Sequence, residues 1–285
     1  MSTGRSALRR RIFTRFMGGL AALAALGAIV PLVVVFGYLV LKGASSLNLA
    51  FFLHNPRPVG VEGGGMANAI VGTLVLILVA AAVGVPIGMG AGMYLAEHGA
   101  ATLATSVRFF ADVLNGLPSI VIGIFAWQLL VRPIGHFAAL SGGVALGLMM
   151  IPTVARTTEE MIRTVPTALS EAALALGYAR WRTALRIVLP TALGGVLTGI
   201  LIAVARVAGE TAPLLFTSFG NQFWSISLSQ PIAAIPLQVF NYAISPYDEW
   251  HVQAWAGALV LIVLVFAISL LARLATRRAF AGSND

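Results

Sequence analysis

The sequence EAALALGYARWRTALRIVLP, residues 171–190, lies between two strongly apolar segments and organises the rest of the chain. Good helix formers precede Gly177, and Thr167 or Ser170 is placed to cap the start of that helix. Gly177 predicts the end of the helix, because glycine adopts the left-handed backbone of a helix terminus at little steric cost. Pro190 suits the first turn of the apolar helix that follows.

The part of this stretch after Gly177 is basic and predicts a second short helix. It holds Arg180, Arg182 and Arg186, with Trp181 between two of them. Two short helices, set at an angle and joined at a glycine, would form a knob on the membrane surface. Such a knob would let a second protein push on the apolar helices.

The composition places the chain in the membrane class. Of its 285 residues, 59% are hydrophobic and only 10% are charged, against about 25% charged residues in soluble domains. The net charge of +8 does not indicate nucleic-acid binding, because the arginines gather in short loops and at the chain ends. The absence of cysteine excludes disulfides and thiolate metal sites, and the four histidines lack ligand spacing for a metal.

Six segments are apolar over the roughly 20 residues that a helix needs to cross the hydrocarbon core. They are Gly18–Leu41, Asn68–Leu95, Val107–Val131, Gly142–Met161, Ile187–Ala208 and Ala254–Ala275. The sequence therefore predicts an all-α polytopic membrane protein with six transmembrane helices. The first segment follows a basic N-terminus, as in a signal peptide. It is longer than a signal core of about 7–15 residues, so we interpret it as a retained helix.

Basic residues set the predicted orientation, because cytoplasmic loops carry the excess of arginine and lysine. With the N-terminus inside, the cytoplasmic side receives Arg5, Arg9, Arg10, Arg11, Arg15, Arg108, Arg163, Arg180, Arg182, Arg186, Arg273, Arg277 and Arg278. The outer loops receive only Lys42, Arg57 and Arg132. Both termini and residues 171–190 are therefore predicted to be cytoplasmic.

Small residues and helix breakers recur in the apolar segments. Close helix packing is predicted at Gly84, Gly88, Gly90 and Gly92 in the second span and at Gly194, Gly195 and Gly199 in the fifth. Gly116 and Pro118 in the third span predict a loosened turn that permits hinge motion. The outer segment Glu210–Gln253 is rich in proline, and its apolar pieces are too short to span, which predicts interfacial or re-entrant structure.

Ionisable groups near the membrane interior are the candidate functional residues, because they are costly there. They are Asp112, Arg156, Glu159, Glu160, Arg206 and Glu210. One interpretation is two local ion pairs, since Arg156 and Arg206 each lie one helical turn from a glutamate. The other is that both arginines line a water-filled path, where planar guanidinium groups bind a passing anion through bidentate hydrogen bonds.

Hydroxyl groups lie beside both arginines. Thr157 and Thr158 follow Arg156, and Thr211 follows Glu210. They would add hydrogen-bond donors to an anion path. The residues alone leave both interpretations open.

The spacing within residues 171–190 resembles the EAA loop of the membrane subunits of ABC importers. The matching positions are Glu171, Ala172, Ala173, Gly177, Ile187, Leu189 and Pro190. In that family, the loop docks into a cleft of the ATP-hydrolysing subunit. The resemblance therefore implies ATPase docking through Glu171, Ala172, Ala173, Gly177, Arg180 and Arg182.

Further motifs are similar to those of the phosphate permeases among these importers. They are Gly84–Gly88 with Tyr94–Glu97, Gly116–Ser119, Arg156–Glu160, Arg206 with Gly209–Leu214, and Ile235–Asn241. Together they cover about residues 68–275, and the last motif favours the PstA branch over its sister PstC. The resemblance implies a MetI-like type I importer fold and inward transport of inorganic phosphate.

The same resemblance implies partners for the chain. Family members pair with the sister permease PstC, bind two copies of the ATPase PstB, and receive phosphate from the periplasmic binding protein PstS. ATP and Mg²⁺ are expected on the ATPase, because this sequence has no Gly-rich Walker loop. No catalytic residue and no cofactor are expected in this chain. The resemblance implies a phosphate path along Arg156, Glu159 and Arg206. We expect Glu210, Thr157 and Thr211 to line the same path.

The predicted regions follow from the spans and the resemblance. Residues 1–17 are a basic cytoplasmic tail, and residues 18–64 are the first transmembrane helix and a periplasmic linker. Residues 65–276 are the permease domain, with a coupling loop at residues 166–190, and residues 277–285 are a cytoplasmic tail. The expected location is the inner membrane.

The sequence leaves alternatives for the source of anion selectivity and for the overall function. Glu159 or Glu210 would accept a hydrogen bond from the proton that phosphate keeps at neutral pH and that sulfate lacks. The alternative places selectivity wholly in the binding protein. Other functions that fit the sequence are a permease for another oxyanion such as sulfate or molybdate, a secondary anion transporter, and a structural membrane protein.

Overall fold

The computed structural model describes residues 3–61, 63–99 and 101–281, with side chains described between Arg10 and Leu274. The arginines Arg5, Arg9, Arg277 and Arg278, which supported the predicted orientation, lie outside the described side chains. Within the described ranges the helices are α1 Thr3–Gly43, α2 Leu49–Leu53, α3 Ala67–Glu97, α4 Thr102–Gly116, α5 Ser119–Ala126, α6 Arg132–Ile134, α7 Ala139–Arg163, α8 Thr167–Ala175, α9 Arg180–Thr183, α10 Leu189–Ala208, α11 Ala212–Thr217, α12 Ile235–Ala243 and α13 Asp248–Ala281. Turns of π-helix at Trp127–Val131 and Ala184–Val188 join α5 to α6 and α9 to α10.

Helical stretches long and apolar enough to cross a membrane dominate the described part of the chain. The five that qualify alone are Arg10–Ser46, Ala67–Glu97, Ala139–Arg163, Arg180–Ala208 and Asp248–Leu274. The bent pair Thr102–Gly116 and Ser119–Ile134 makes a sixth if it is counted as one span. The predicted all-α polytopic fold is confirmed.

The predicted continuous third span, Val107–Val131, is wrong. The helix α4 ends at Gly116, and the chain turns by 106° before α5 begins. Pro118 explains the break, because its ring disfavours helical backbone at the preceding residue. Leu117 is accordingly extended, with ψ of 137°. The loosened turn expected at this site is a complete break between two helices.

The alternating helices define two ends of the bundle. The loop end contains Glu97, Arg163 and residues 164–188, which connect α7 to α10. The opposite end contains residues 44–66 and residues 209–247.

The contact between α3 and α7 is the most extensive in the bundle, and glycine makes it possible. A Cβ atom added at Gly84 would lie 2.7 Å from Met150 Cβ, and one added at Gly88 would lie 2.7 Å from Val154 Cβ. One added at Gly92 would lie 2.5 Å from a carbonyl oxygen of α7. These three glycines recur at each turn of α3, so the two backbones approach closely along its length.

The helix α10 packs against α7 through two further glycines. Gly195 and Gly199 meet side chains of α7 too closely for any Cβ atom. Gly90 and Gly194 differ, because nothing in the described part of the chain lies within 4 Å of a Cβ atom added there. The predicted packing role is confirmed for the glycines in these contacts, whereas Gly90 and Gly194 make no such contact within the described chain.

The proline-rich segment between α10 and α13 returns into the bundle without crossing it. Ile232 is 1% exposed and Ile235 is 0% exposed, and the N–H of Ile235 donates to Thr73 Oγ1 of α3 at 2.8 Å. The helices α11 and α12 are short, which agrees with the predicted re-entrant pieces. Phe223 and Trp224, between them, remain exposed.

The buried face of α12 includes polar side chains. Gln238 is 8% exposed, and Tyr242 stacks on Trp250 with ring centroids 4.7 Å apart. Burial raises the pKa of the Tyr242 hydroxyl, against a smaller opposing effect of its hydrogen bond with Gln238. The hydroxyl therefore stays protonated at neutral pH.

The helix α1 stands beside the bundle and contacts it mainly at α13. Tyr38 packs edge-on against Trp255, with ring centroids 5.1 Å apart. Most apolar side chains of α1 between Ile12 and Leu41 are exposed. Such a continuous apolar surface is typical of a helix that faces lipid or another membrane subunit.

Candidate functional site

The loop end carries the knob predicted from residues 171–190. The helix α8 precedes Gly177, which has the left-handed φ of +82° that the sequence predicts. The predicted cap by Thr167 or Ser170 is wrong, because Pro166 holds the N-cap position and no side chain caps the helix. Pro166 serves instead because its fixed backbone angle suits a helix entry.

The arginines after Gly177 do not lie on a separate helix. The helix α9, the π-helical turn and α10 form one continuous stretch from Arg180 to Ala208. The fifth membrane helix therefore begins earlier than the predicted Ile187, and Arg182 lies on its first turns. A force applied to these residues acts directly on that helix.

The knob exposes apolar side chains among its arginines. Leu176 is 79% exposed and Trp181 is 59% exposed, and the Arg182 guanidinium lies 5.2 Å from the Trp181 ring centroid. The residues expected to dock are exposed except for Ala173, namely Glu171, Ala172, Gly177, Arg180 and Arg182. An exposed apolar surface with a charged border is typical of a protein-docking site.

The helices α4 and α7 meet along a row of polar side chains, which we call the polar seam. Its pairs, in order along α4, are Arg108 with Glu159, Asp112 with Arg156, and Asn115 with Thr153. Residue numbers rise along α4 while they fall along α7, so the two helices are antiparallel here. The spacing on each helix places all six side chains on facing surfaces.

Glu159 is the buried end of the polar seam, with 2% of its side chain exposed. Its Oε1 accepts a hydrogen bond from Arg108 Nε at 2.8 Å and lies 2.8 Å from Arg163 Nη2. Its Oε2 has no hydrogen-bond partner in the described part of the chain and lies 3.7 Å from Arg156 Nη1. The carboxylate ties α4 to α7, because it pairs with Arg108 of α4 as well as with Arg163 of its own helix.

Arg156 and Asp112 form the solvent-exposed part of the polar seam. Arg156 Nη2 donates to both Asp112 oxygens, at 2.7 and 2.8 Å, and Nε donates to Oδ1 at 3.0 Å. The side chains are 36% and 53% exposed, respectively. This pair is therefore open at the surface of the chain, which is not the case for Glu159.

Arg206 approaches the polar seam from α10. Its Nη1 lies 3.5 Å from Asn115 Oδ1, which also accepts a hydrogen bond from Thr153 Oγ1 at 3.4 Å. The Arg206 side chain is exposed and makes no ion pair within the described side chains. Since Asn115 lies one helical turn from Asp112, Arg156 and Arg206 are brought to the same exposed surface.

The polar seam corrects the ion pairs expected from the sequence. Arg206 does not pair with Glu210 among the described residues, and Arg156 pairs chiefly with Asp112. Arg156 keeps only a longer contact with Glu159. The local-pair interpretation is therefore wrong for Arg206 and incomplete for Arg156.

The remaining predicted path residues lie outside the polar seam. Thr157 Oγ1 donates to the Thr153 carbonyl oxygen at 2.7 Å, and its side chain faces Gly199 of α10. Glu210 and Thr211 follow α10 at the opposite end, where both are half-buried. The structure thus brings together Arg156, Glu159 and Arg206 but not the other three.

The sequence-based site omits Arg108, Asn115 and Arg163 and gives Asp112 no partner. A signal exists, because Arg108, Asp112 and Asn115 follow helical spacing within an otherwise apolar segment. That spacing shows that α4 has a polar face. It does not show which helix covers that face.

Comparisons with known proteins identify the class to which this architecture belongs. The family model described as "Binding-protein-dependent transport system inner membrane component" matches residues 84–280. A solved chain of a bacterial alginate ABC transporter is similar in fold, with a TM-score of 0.65 and 14% identity, covering 94% of this chain and 98% of that one. A chain of the MetNI methionine ABC transporter gives a TM-score of 0.58 with 19% identity, covering 74% and 92% of the two chains. The chain is thus an inner-membrane permease subunit of this transport class.

Sequence relatives identify the family within this transport class. The phosphate transport system permease protein PstA of Yersinia pestis is 48% identical over 82% of this chain and 80% of its own length. The protein of the same name from Xylella fastidiosa (strain Temecula1 / ATCC 700964) is 44% identical over 93% of both chains. The chain belongs to the PstA family of permease proteins. Its membership confirms the prediction of a transport subunit that is not itself an enzyme.

Proposed function

We propose that this chain is the membrane-spanning permease subunit of an ABC importer that carries inorganic phosphate inward. The observation that carries the proposal is the shared exposed surface of Arg156 and Arg206, in a chain that is 48% identical to a named phosphate permease. Two guanidinium groups near one another suit a tetrahedral anion, because each offers planar, paired donors. Their partial exposure would keep binding weak enough for release.

The orientation proposed for the chain places the loop end in the cytoplasm. The knob holds Arg180, Arg182 and Arg186, and Arg163 lies beside it. The basic residues at the opposite end are Lys42, Arg57 and Arg132. The excess of arginine at the loop end favours a cytoplasmic location under the positive-inside rule, with both termini on the same side.

The knob is proposed to receive force from an ATP-hydrolysing partner, which would hold the ATP and Mg²⁺. Its apolar side chains Leu176 and Trp181 are too exposed for a surface that meets only water. Gly177 fixes the angle between α8 and the start of the fifth membrane helix. Movement of α8 would therefore tilt α10, and with it Arg206.

The partners proposed are those of the family, namely a sister permease, two ATPase copies and a periplasmic phosphate-binding protein, corresponding to PstC, PstB and PstS. Arg206 is exposed in this single chain, whereas a transport path across a membrane must be shielded from lipid. A second permease subunit packed against α10 would complete that shielding. The exposed side chains Phe223 and Trp224 at the opposite end would suit contact with the binding protein.

Phosphate uptake by the complete importer tests this proposal. The four proteins are reconstituted in liposomes, and phosphate uptake and ATP hydrolysis are measured with the wild-type chain, with Arg206→Gln and with Arg132→Gln. We expect phosphate delivered by the binding protein to stimulate the wild type and Arg132→Gln, which alters an exposed arginine at the opposite end. Arg206→Gln should lower uptake about tenfold or more, because it removes a charge-assisted contact.

Three outcomes would contradict the proposal. If sulfate or molybdate stimulates ATP hydrolysis and phosphate does not, the chain is still an importer subunit but its substrate is another oxyanion. Full uptake by an assembled Arg206→Gln complex would remove Arg206 from the path. Uptake without any ATPase would instead indicate a secondary transporter.

A further inference from the structure

The contact between Asp112 and Arg156 has the geometry of anion recognition. Three hydrogen bonds of 2.7, 2.8 and 3.0 Å join the two side chains, and both carboxylate oxygens take part. A carboxylate and a phosphate present the same two-oxygen edge to a guanidinium group. Asp112 therefore occupies the donors that Arg156 would offer to a transported anion.

The charges around this contact favour an incoming anion. The polar seam together with Arg163 and Arg206 contains four arginines and two carboxylates, an excess of two positive charges. Glu159 is 2% exposed and already serves Arg108 and Arg163. Asp112 is 53% exposed at the surface of the chain, so of the two carboxylates it is the one that an anion can replace.

Few apolar side chains anchor the helix that carries Asp112. The buried residues of α4 are Ala104 and Ala111, and the helix ends at the 106° break near Pro118. Its remaining attachment to α7 is the polar seam, whose contacts water can replace more easily than apolar packing. A movement of the Asn115 end of α4 away from α7 would separate Asp112 from Arg156 while Arg108 keeps its contact with the buried Glu159.

We propose that Asp112 is an internal counter-anion that occupies Arg156 in this conformation and that a transported oxyanion displaces it. This rests on the proposed function, since it assumes that Arg156 lies on an anion path. The carboxylate keeps the arginine closed to anions until α4 moves. It also neutralises Arg156 when no substrate is present, which lowers the cost of a charge within the membrane. Asp112 thus sets the affinity of Arg156 for the transported oxyanion.

Equilibrium binding of radiolabelled phosphate to the assembled permease–ATPase complex, without binding protein, tests the proposal. Asp112→Asn retains the shape of the side chain and removes its charge. We expect this variant to bind phosphate about tenfold more tightly than the wild type, because the anion no longer competes with a charge-assisted contact. The gain should disappear in Asp112→Asn combined with Arg156→Gln. Glu160→Gln, which removes an exposed carboxylate from the same α7, should bind as the wild type does.

Parallel measurements with sulfate separate this proposal from the proposed function. If only sulfate stimulates the wild-type importer, phosphate is the wrong substrate, yet tighter sulfate binding by Asp112→Asn still supports the counter-anion. Unchanged or weaker binding of both anions by an assembled Asp112→Asn complex overturns it. An equal gain in the double variant also overturns it, because the effect would not act through Arg156. If Asp112→Asn does not assemble, Asp112→Ser removes the same charge and gives the same comparison.

Discussion

Arg108 of α4 lies 2.7 Å from the buried carboxylate of Glu159 on α7, at the end of the polar seam that is farthest from Arg206. Arg163 meets the same carboxylate oxygen at 2.8 Å. Glu159 is thus held between two arginines from different helices. Its position makes it a structural anchor of the seam, while the arginines at the other end are exposed.

Removal of this anchor should destabilise the protein. Glu159→Ala leaves Arg108 without its carboxylate partner in a largely buried position, which is expected to cost about 3–5 kcal/mol. The thermal midpoint of the purified complex measures the effect, with Glu160→Ala as the exposed control on the same helix. Equal midpoints for the two variants would show that the Glu159 contacts do not stabilise the fold.

The α3–α7 contact should tolerate no side chain at its glycines. Gly88→Ala places a Cβ atom 2.7 Å from Val154 Cβ, so the helices must separate, at a cost of about 1–3 kcal/mol. Gly90→Ala is the matched control, because a Cβ atom there meets nothing within 4 Å in the described structure. Unfolding measured in detergent should show similar stability for the wild type and Gly90→Ala. Both should be more stable than Gly88→Ala. The opposite ranking would contradict the close packing.

Gly177 should be needed for coupling rather than for binding of the ATPase. Its φ of +82° is strained for alanine by about 1–2 kcal/mol, whereas asparagine adopts it more readily. Gly177→Ala should therefore lower the phosphate transported per ATP hydrolysed, and Gly177→Asn should lower it less. Co-purification of the ATPase with each variant is the control. Loss of the ATPase from Gly177→Ala would indicate an assembly defect instead.

Glu210 is a better candidate than Glu159 for the carboxylate that distinguishes phosphate from sulfate. Its side chain is half-buried and has no hydrogen bond or ion pair among the described residues, whereas both Glu159 oxygens are buried behind arginines. Glu210→Gln should lower the preference for phosphate over sulfate about tenfold or more, because the neutral amide accepts a weaker hydrogen bond from protonated phosphate and no longer repels sulfate. Competition by sulfate in uptake assays measures this. An unchanged preference would assign the selectivity to the binding protein.

Local sequence was enough to predict the elements that are set by residues close together in the chain. Apolar length predicted the membrane helices, because each must satisfy its backbone hydrogen bonds within itself. Gly177 predicted the helix end at the knob, because its left-handed backbone depends only on that residue. The third span was less predictable, since Pro118 can bend a helix or end it, and packing against neighbouring helices decides which.

The sequence by itself determined that this is a polytopic helical membrane protein, and its motifs determined the family. Arg156 and Arg206 stood out for the same reason, because charge inside a membrane is costly wherever it lies. Only the tertiary structure decided which charges meet. Asp112 and Arg156 are 44 residues apart, and their contact depends on the antiparallel register of α4 and α7. Helical spacing shows which residues share a face, but the neighbour of that face is set by packing over the whole bundle.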